Sequence, residues 1–233
     1  ALLLFSSDSG FGSAIPDLVS YNSALSACER GRCWREALQL LLEARLRKLE
    51  LDVVSFSSAV SACSKGLQWQ QALALLQEAR AVSAASVITY NSAISGCASA
   101  GQWPEALALL RDCVAERHSL DVVSFSAAIT SCQGRPGEAS PSAGVETRWE
   151  YALELLRELR LALLSPDDAV YTAAISCCEK GGQWQKALQL LHQAQCEPQK
   201  VSIITYNAAI SACEKAGQRM GAIAPAAVGL ALS

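Results

Sequence analysis

Six times along this chain an aromatic residue is followed at once by a short polar side chain: Tyr21-Asn22, Phe56-Ser57, Tyr90-Asn91, Phe125-Ser126, Tyr171-Thr172 and Tyr206-Asn207. An Asn amide presents a donor and an acceptor side by side, and a Ser or Thr hydroxyl can do either. Such groups recognise a partner by hydrogen bonding. Other chemistry is poorly served. There are ten cysteines but no C-x-x-C, and the two histidines, His118 and His192, lie far apart in sequence. The spacing that structural zinc sites use is therefore missing. The acidic residues are scattered, and there is no Gly-rich phosphate loop of the usual type. The sequence predicts no catalytic residues, no metal and no cofactor.

The polar residues recur because the chain repeats. Consecutive aromatics are 35, 34, 35, 46 and 35 residues apart. Seven residues after each comes a cysteine (Cys28, Cys63, Cys97, Cys132, Cys178, Cys213). Thirteen residues after it comes Trp34, Trp69, Trp103 or Trp184, and Trp149 arrives 11 residues late in the fourth copy. The Gly-, Pro- and Ser-rich stretch 133–147 accounts for that delay and reads as an inserted loop. The sixth copy has Arg219 in place of the tryptophan. Its pattern decays from Met220, where Pro225 would break a helix.

Each copy carries two helical patterns. Tyr21, Leu25 and Cys28 share one face at i, i+4 and i+7. Trp34, Ala37, Leu38 and Leu41 form a second stripe, repeated as Trp69-Ala72-Leu73-Leu76, Trp103-Ala106-Leu107-Leu110, Trp149-Ala152-Leu153-Leu156 and Trp184-Ala187-Leu188-Leu191. Gly31, Gly66, Gly101, Gly182 and Gly217 separate the two helices as stop and tight turn. One hairpin cannot bury both stripes; stacked neighbours can. The periodic cysteines are then small core residues, which implies a reducing compartment, while Cys33, Cys113, Cys177 and Cys196 share no spacing. The predicted fold is an all-α solenoid of about six stacked antiparallel helix–turn–helix repeats. Its divisions are a stub at 1–17 and repeats at 18–52, 53–86, 87–121, 122–167, 168–202 and an incomplete 203–233.

Composition fits this reading. The 233 residues are 51% hydrophobic and 18% charged, with a formal net charge of −3. The charge removes any argument for nucleic acid from bulk electrostatics alone. No apolar run reaches the length of a membrane span, so no membrane partner is expected. The first residue is Ala1 and no targeting peptide is visible, as in a fragment or processed form of something longer.

Segments such as Val87–Leu110, VITYNSAISGCASAGQWPEALALL, resemble pentatricopeptide repeats. The shared features are an aliphatic pair, Ser or Thr, an aromatic and Asn, then a Gly turn and an E-A-L-x-L-L helix. The resemblance runs from about Asp17 to Ile223. It implies a right-handed superhelical solenoid whose first helices line a groove for single-stranded RNA, one nucleotide per repeat. It further implies action in a chloroplast, or alternatively a mitochondrion, on processing, stability, editing or translation of an organellar transcript.

The family reads bases with the residue after the aromatic and the residue four before the next aromatic. Here these pair Asn22 with Asp52, Ser57 with Ser86, Asn91 with Asp121, Ser126 with Asp167, and Thr172 with Ser202, leaving Asn207 unpaired. The family's usual correspondence reads Asn/Asp as uracil and Ser/Asp as guanine. Val19, Val54, Ile88, Val123 and Ile204 stand where the family wedges an aliphatic between bases, with Ala169 the exception, and packing between repeats is an equal reading. Arg30, Lys65, Lys180 and Lys215 are the phosphate candidates, or else ordinary solvated charges; Ser99 and Gly134 interrupt their column. Asp17, Asp52, Ser86, Asp121, Asp167 and Ser202 each precede a helix, so N-capping alone would account for them. The alternative function is a protein-binding scaffold using the same groove, with protein partners in place of RNA.

Overall fold

The computed structural model describes residues 16–133, 145–197 and 201–217. Most of the stub, Gly134 and the decayed tail with Arg219, Met220 and Pro225 lie outside the described residues. Among the described residues there are eleven helices: α1 Leu18–Gly31, α2 Trp34–Leu46, α3 Val53–Lys65, α4 Trp69–Ala81, α5 Val87–Ala100, α6 Trp103–Ala115, α7 Val122–Cys132, α8 Val145–Leu161, α9 Asp168–Lys180, α10 Trp184–Cys196 and α11 Ile203–Lys215. They fall into two compact units that divide at Leu120 and Asp121. In the first unit α3 packs on both α1 and α5, and in the second α9 packs on both α7 and α11. Within each unit a second helix packs on its own first helix and, where the unit holds another repeat after it, on that repeat's first helix. The odd-numbered helices of a unit thus form one continuous layer, with the even-numbered helices lying against it.

Helix starts follow from the caps. Asp17, Asp52, Ser86, Asp121, Asp167 and Ser202 each accept the backbone N–H three residues on. The capping reading therefore holds in all six copies. Asp52 and Asp121 complete capping boxes with Ser55 and Ser124. Helix ends follow from left-handed turns. The carbonyls of Cys28, Cys63, Cys97 and Cys178 accept the N–H five residues on, as in a Schellman motif. The carbonyls of Ala44, Ala79, Cys113 and Leu159 do the same at the ends of second helices.

The core is the repeated face. Tyr21, Leu25, Cys28 and their equivalents in copies two to five are buried, Tyr206 and Ile210 of the sixth are half-buried, and all six periodic cysteines are buried. Three expectations need correction. The second-helix stripe is Ala37, Leu40, Leu41 and Ala44, with Leu38 only half-buried, because the face turned to two neighbouring helices is centred one position further round. The left-handed residue of the first turn is Gly101, Gly182 or Gly217, but in the first two copies it is Arg32 (φ 55°) and Leu67 (φ 59°), one residue after Gly31 and Gly66. The stretch 133–147 is not all loop, since α8 begins at Val145, four residues before Trp149, whereas tryptophan opens the other second helices.

Candidate functional site

The cap residues and the polar residues after the aromatics come together between adjacent first helices. Between α1 and α3 the Asn22 amide Nδ2 donates to both Asp52 carboxylate oxygens, at 3.1 and 3.2 Å. The Ser55 hydroxyl donates to Asn22 Oδ1 at 2.6 Å, and the Ser55 backbone N–H donates to Asp52 Oδ1 at 2.8 Å. This fixes which way the amide faces. Partial burial alone would raise the Asp52 pKa, but hydrogen bonds from the Ser55 backbone and side chain and from Asn22 outweigh it and hold the carboxyl below its ordinary value. The Asn22 amide remains half-exposed, with a donor and an acceptor to offer a ligand.

The other pairs differ. Ser57 turns its hydroxyl back to the Val54 carbonyl (3.2 Å), while Ser86 caps α5 and shares a hydrogen bond with Thr89. Ser126 is half-buried on α7, and Asp167 caps α9 through the Val170 N–H at 2.8 Å. Asn91 is half-buried in the first unit, and Asp121 caps α7 in the second. Thr172 and Ser202 meet through Thr205: Thr172 Oγ1 lies 2.7 Å and Ser202 Oγ 3.1 Å from Thr205 Oγ1. Asn207 is exposed on α11.

Beside each polar residue stands an aliphatic one helical turn earlier. Val19 is 69% exposed, Val54 49%, Ile88 68%, Val123 60% and Ile204 69%. Packing between repeats within each unit leaves these side chains open to solvent. The basic candidates are more occupied. Lys65 donates to Glu29 at 2.9 Å and Lys215 to Glu179 at 2.7 Å, each carboxylate belonging to the preceding repeat. Lys180 donates to the Gln133 carbonyl at 2.6 Å, and Arg30 is exposed.

The sequence pattern of the PPR repeat matches residues 19–49, 88–117 and 169–197, the first, third and fifth copies. The chain carries pentatricopeptide repeats. No curated protein matches the chain. The fold is similar to that of the pentatricopeptide repeat protein PPR10 from maize, at 24% identity and TM-score 0.66 over 88% of this chain and 28% of that one. It is also similar to PPR10 in complex with an 18-nt psaJ RNA element, at 19% identity and TM-score 0.61 over 80% of this chain and 26% of that one. A third relative in fold is the PPR domain of Arabidopsis thaliana protein-only RNase P 1 in complex with tRNA, at 13% identity and TM-score 0.67 over 84% of this chain and 98% of that one. The chain thus spans about a quarter of the length of PPR10.

Within these PPR repeats, sequence reasoning gave no role to the Ser or Thr just before each aromatic. Ser55 and Thr205 are buried, and they link Asn22 to Asp52 and Thr172 to Asp168. The signal was present, since Ser20, Ser55, Thr89, Ser124 and Thr205 hold that register and only Val170 breaks it. It also missed the ion pairs between successive second helices of the first unit, Arg45 with Glu78 and Arg80 with Asp112 at 2.9 Å. A cavity of about 540 Å³ lined by Arg45, Leu51, Phe56 and Glu78 opens beside the first of these.

Proposed function

We propose that these repeats bind single-stranded RNA sequence-selectively, one nucleotide per repeat. The observation that carries this reading is the Asn22 amide, oriented by Asp52 and Ser55, with exposed Val19 a turn earlier on its own helix and exposed Val54 on the next first helix. An oriented amide discriminates base edges, and a good bidentate contact is worth about 1–3 kcal/mol. An apolar side chain on either side suits the flat face of a base. PPR10 bound to an RNA element and the PRORP1 domain bound to tRNA support RNA as the ligand class. The target we propose is a chloroplast transcript, with a mitochondrial one the alternative, acted on in processing, stability, editing or translation. The repeats act by occupying RNA or recruiting other factors rather than by catalysis.

The rival is a protein-binding scaffold. The net charge of −3 and the pairing of Lys65 and Lys215 with glutamates favour it. Selection from a randomised RNA pool separates the two, using this chain and a variant with Asn22→Ser and Asn91→Ser. RNA reading predicts enrichment that changes at two nucleotides in the variant. Absence of enrichment, with a protein recovered in its place, would favour the scaffold.

A further inference from the structure

We propose that Asp168 supplies the carboxylate missing from the fifth reading pair and turns that position into an acceptor-only site selective for guanine. The inference rests on the RNA reading above. Thr172 is paired by register with Ser202, so the pair itself holds no acid. Asp168 stands three residues before Tyr171, where the other copies have Leu18, Val53, Val87, Val122 and Ile203. Its carboxylate Oδ1 accepts the Thr205 hydroxyl at 2.6 Å and the Ser202 backbone N–H at 3.0 Å. Both bonds fall on Oδ1, and Oδ2 takes none among the described residues.

The protons then have one consistent arrangement. A carboxylate only accepts, so the single Thr205 proton goes to Asp168. Thr205 Oγ1 is left to accept from its neighbours. Thr172 lies 2.7 Å from it and 2.8 Å from the Asp168 backbone carbonyl, both acceptors. Whichever it chooses, the Thr172 proton points inward, and only lone pairs remain for a ligand. With the Ser202 proton directed to Thr205 Oγ1 at 3.1 Å, the position offers two acceptors, Thr172 Oγ1 and Asp168 Oδ2, and no donor. Guanine alone among the four bases places two donors, N1–H and N2–H2, side by side on its Watson–Crick edge. Uracil and cytosine set a single donor group beside acceptors, and adenine sets its amino group beside the N1 acceptor. An acceptor facing an acceptor is repelled and left unpaired. The first pair differs, because the Asn22 amide keeps both a donor and an acceptor.

The test is RNA selection with this chain, read nucleotide by nucleotide, alongside Asp168→Asn, Thr172→Val and Asp168→Asn/Ser202→Asp. The unaltered chain should enrich guanine at the nucleotide assigned to the fifth repeat. Asp168→Asn should cut that preference about tenfold, the scale of one good base contact, and leave the other nucleotides unchanged. Thr172→Val, nearly the same shape, should do the same without relying on the first variant's folding. Adding Ser202→Asp, a carboxylate placed as Asp52 is, should restore guanine. A fifth-nucleotide preference that is not guanine, or one unmoved in both single variants, overturns this inference and leaves RNA reading standing. No enrichment at any nucleotide overturns both.

Discussion

The Asp52 carboxylate caps α3 through the Ser55 N–H and also holds the Asn22 amide of the preceding repeat. Capping therefore does not compete with the proposed base reading, since one carboxylate can serve both. Asp52→Ala should lower stability by about 0.5–2 kcal/mol through loss of the cap, seen as a lower midpoint in thermal unfolding. It should also relax base preference at the first nucleotide. Asn22→Ala should relax the same preference with little thermal effect, because Asp52 keeps its Ser55 bonds. If the two variants melt alike, the cap contributes nothing. The acid limb of stability has a defined sign. Asp52 and Asp168 both have folded pKa values below the ordinary 3.8, with partial burial opposing the shift and hydrogen bonds from Ser55 and Asn22, or from Thr205 and Ser202, producing it. Their contribution is therefore fully present above 3.8 and is lost as pH falls through the lower, folded values. Asp52→Asn should flatten the decline of the unfolding midpoint in that acid range, and an unchanged decline would deny the carboxylate this role.

At the scale of the element, the two turns between paired helices show what the sequence reveals and what it hides. The period, the two helical faces, the buried cysteines and the polar column were legible, because each is a recurrence of residue type at fixed spacing. The position of a glycine within a four-residue turn was not, because the same letter serves two purposes there. Gly101 and Gly182 hold the left-handed position itself. Gly66 stands one residue earlier, where an added Cβ would lie 2.5 Å from Trp34 Cδ1, and Gly181 meets Trp149 in the same way. Gly66 therefore makes room for the preceding repeat's indole, and Leu67 takes the left-handed conformation. Leu67→Gly should stabilise by about 0.5–1 kcal/mol by relieving a positive φ. Gly66→Ala should cost about 1–3 kcal/mol by crowding the indole, and less in a background with Trp34→Leu. Thermal unfolding of the three variants checks both signs, and Leu67→Gly melting lower would reverse the assignment of the turn. Side-chain partners hid for a different reason. Asp168 reaches Thr205 across two helices 37 residues apart in sequence, a contact no local pattern specifies.

At the scale of the whole molecule, the charge balance decides how these PPR repeats would hold RNA. The net charge is −3, and two of the four basic residues at first-helix ends are neutralised from the preceding repeat. Glu29 accepts Ser61 and Lys65, and Glu179 accepts Ser211 and Lys215, so the same three-residue unit occurs once in each half of the chain. Exposed ion pairs of this kind contribute little to stability, but they withhold positive charge from phosphates. Binding to a single strand loses about 0.7 in the log–log salt slope per phosphate neutralised. With Lys65 and Lys215 held by glutamates, selectivity should come from the polar column rather than from charge. Glu29→Gln together with Glu179→Gln keeps an acceptor for each serine and releases both lysines. The slope should then steepen by about 1.4, at about 0.7 for each lysine, with affinity at low salt rising for every sequence alike and base preferences unchanged. Binding isotherms across a salt series measure this directly. An unaltered slope would mean that Lys65 and Lys215 never meet phosphate, and a changed base preference would mean that the glutamates help to place the reading residues rather than to restrain charge.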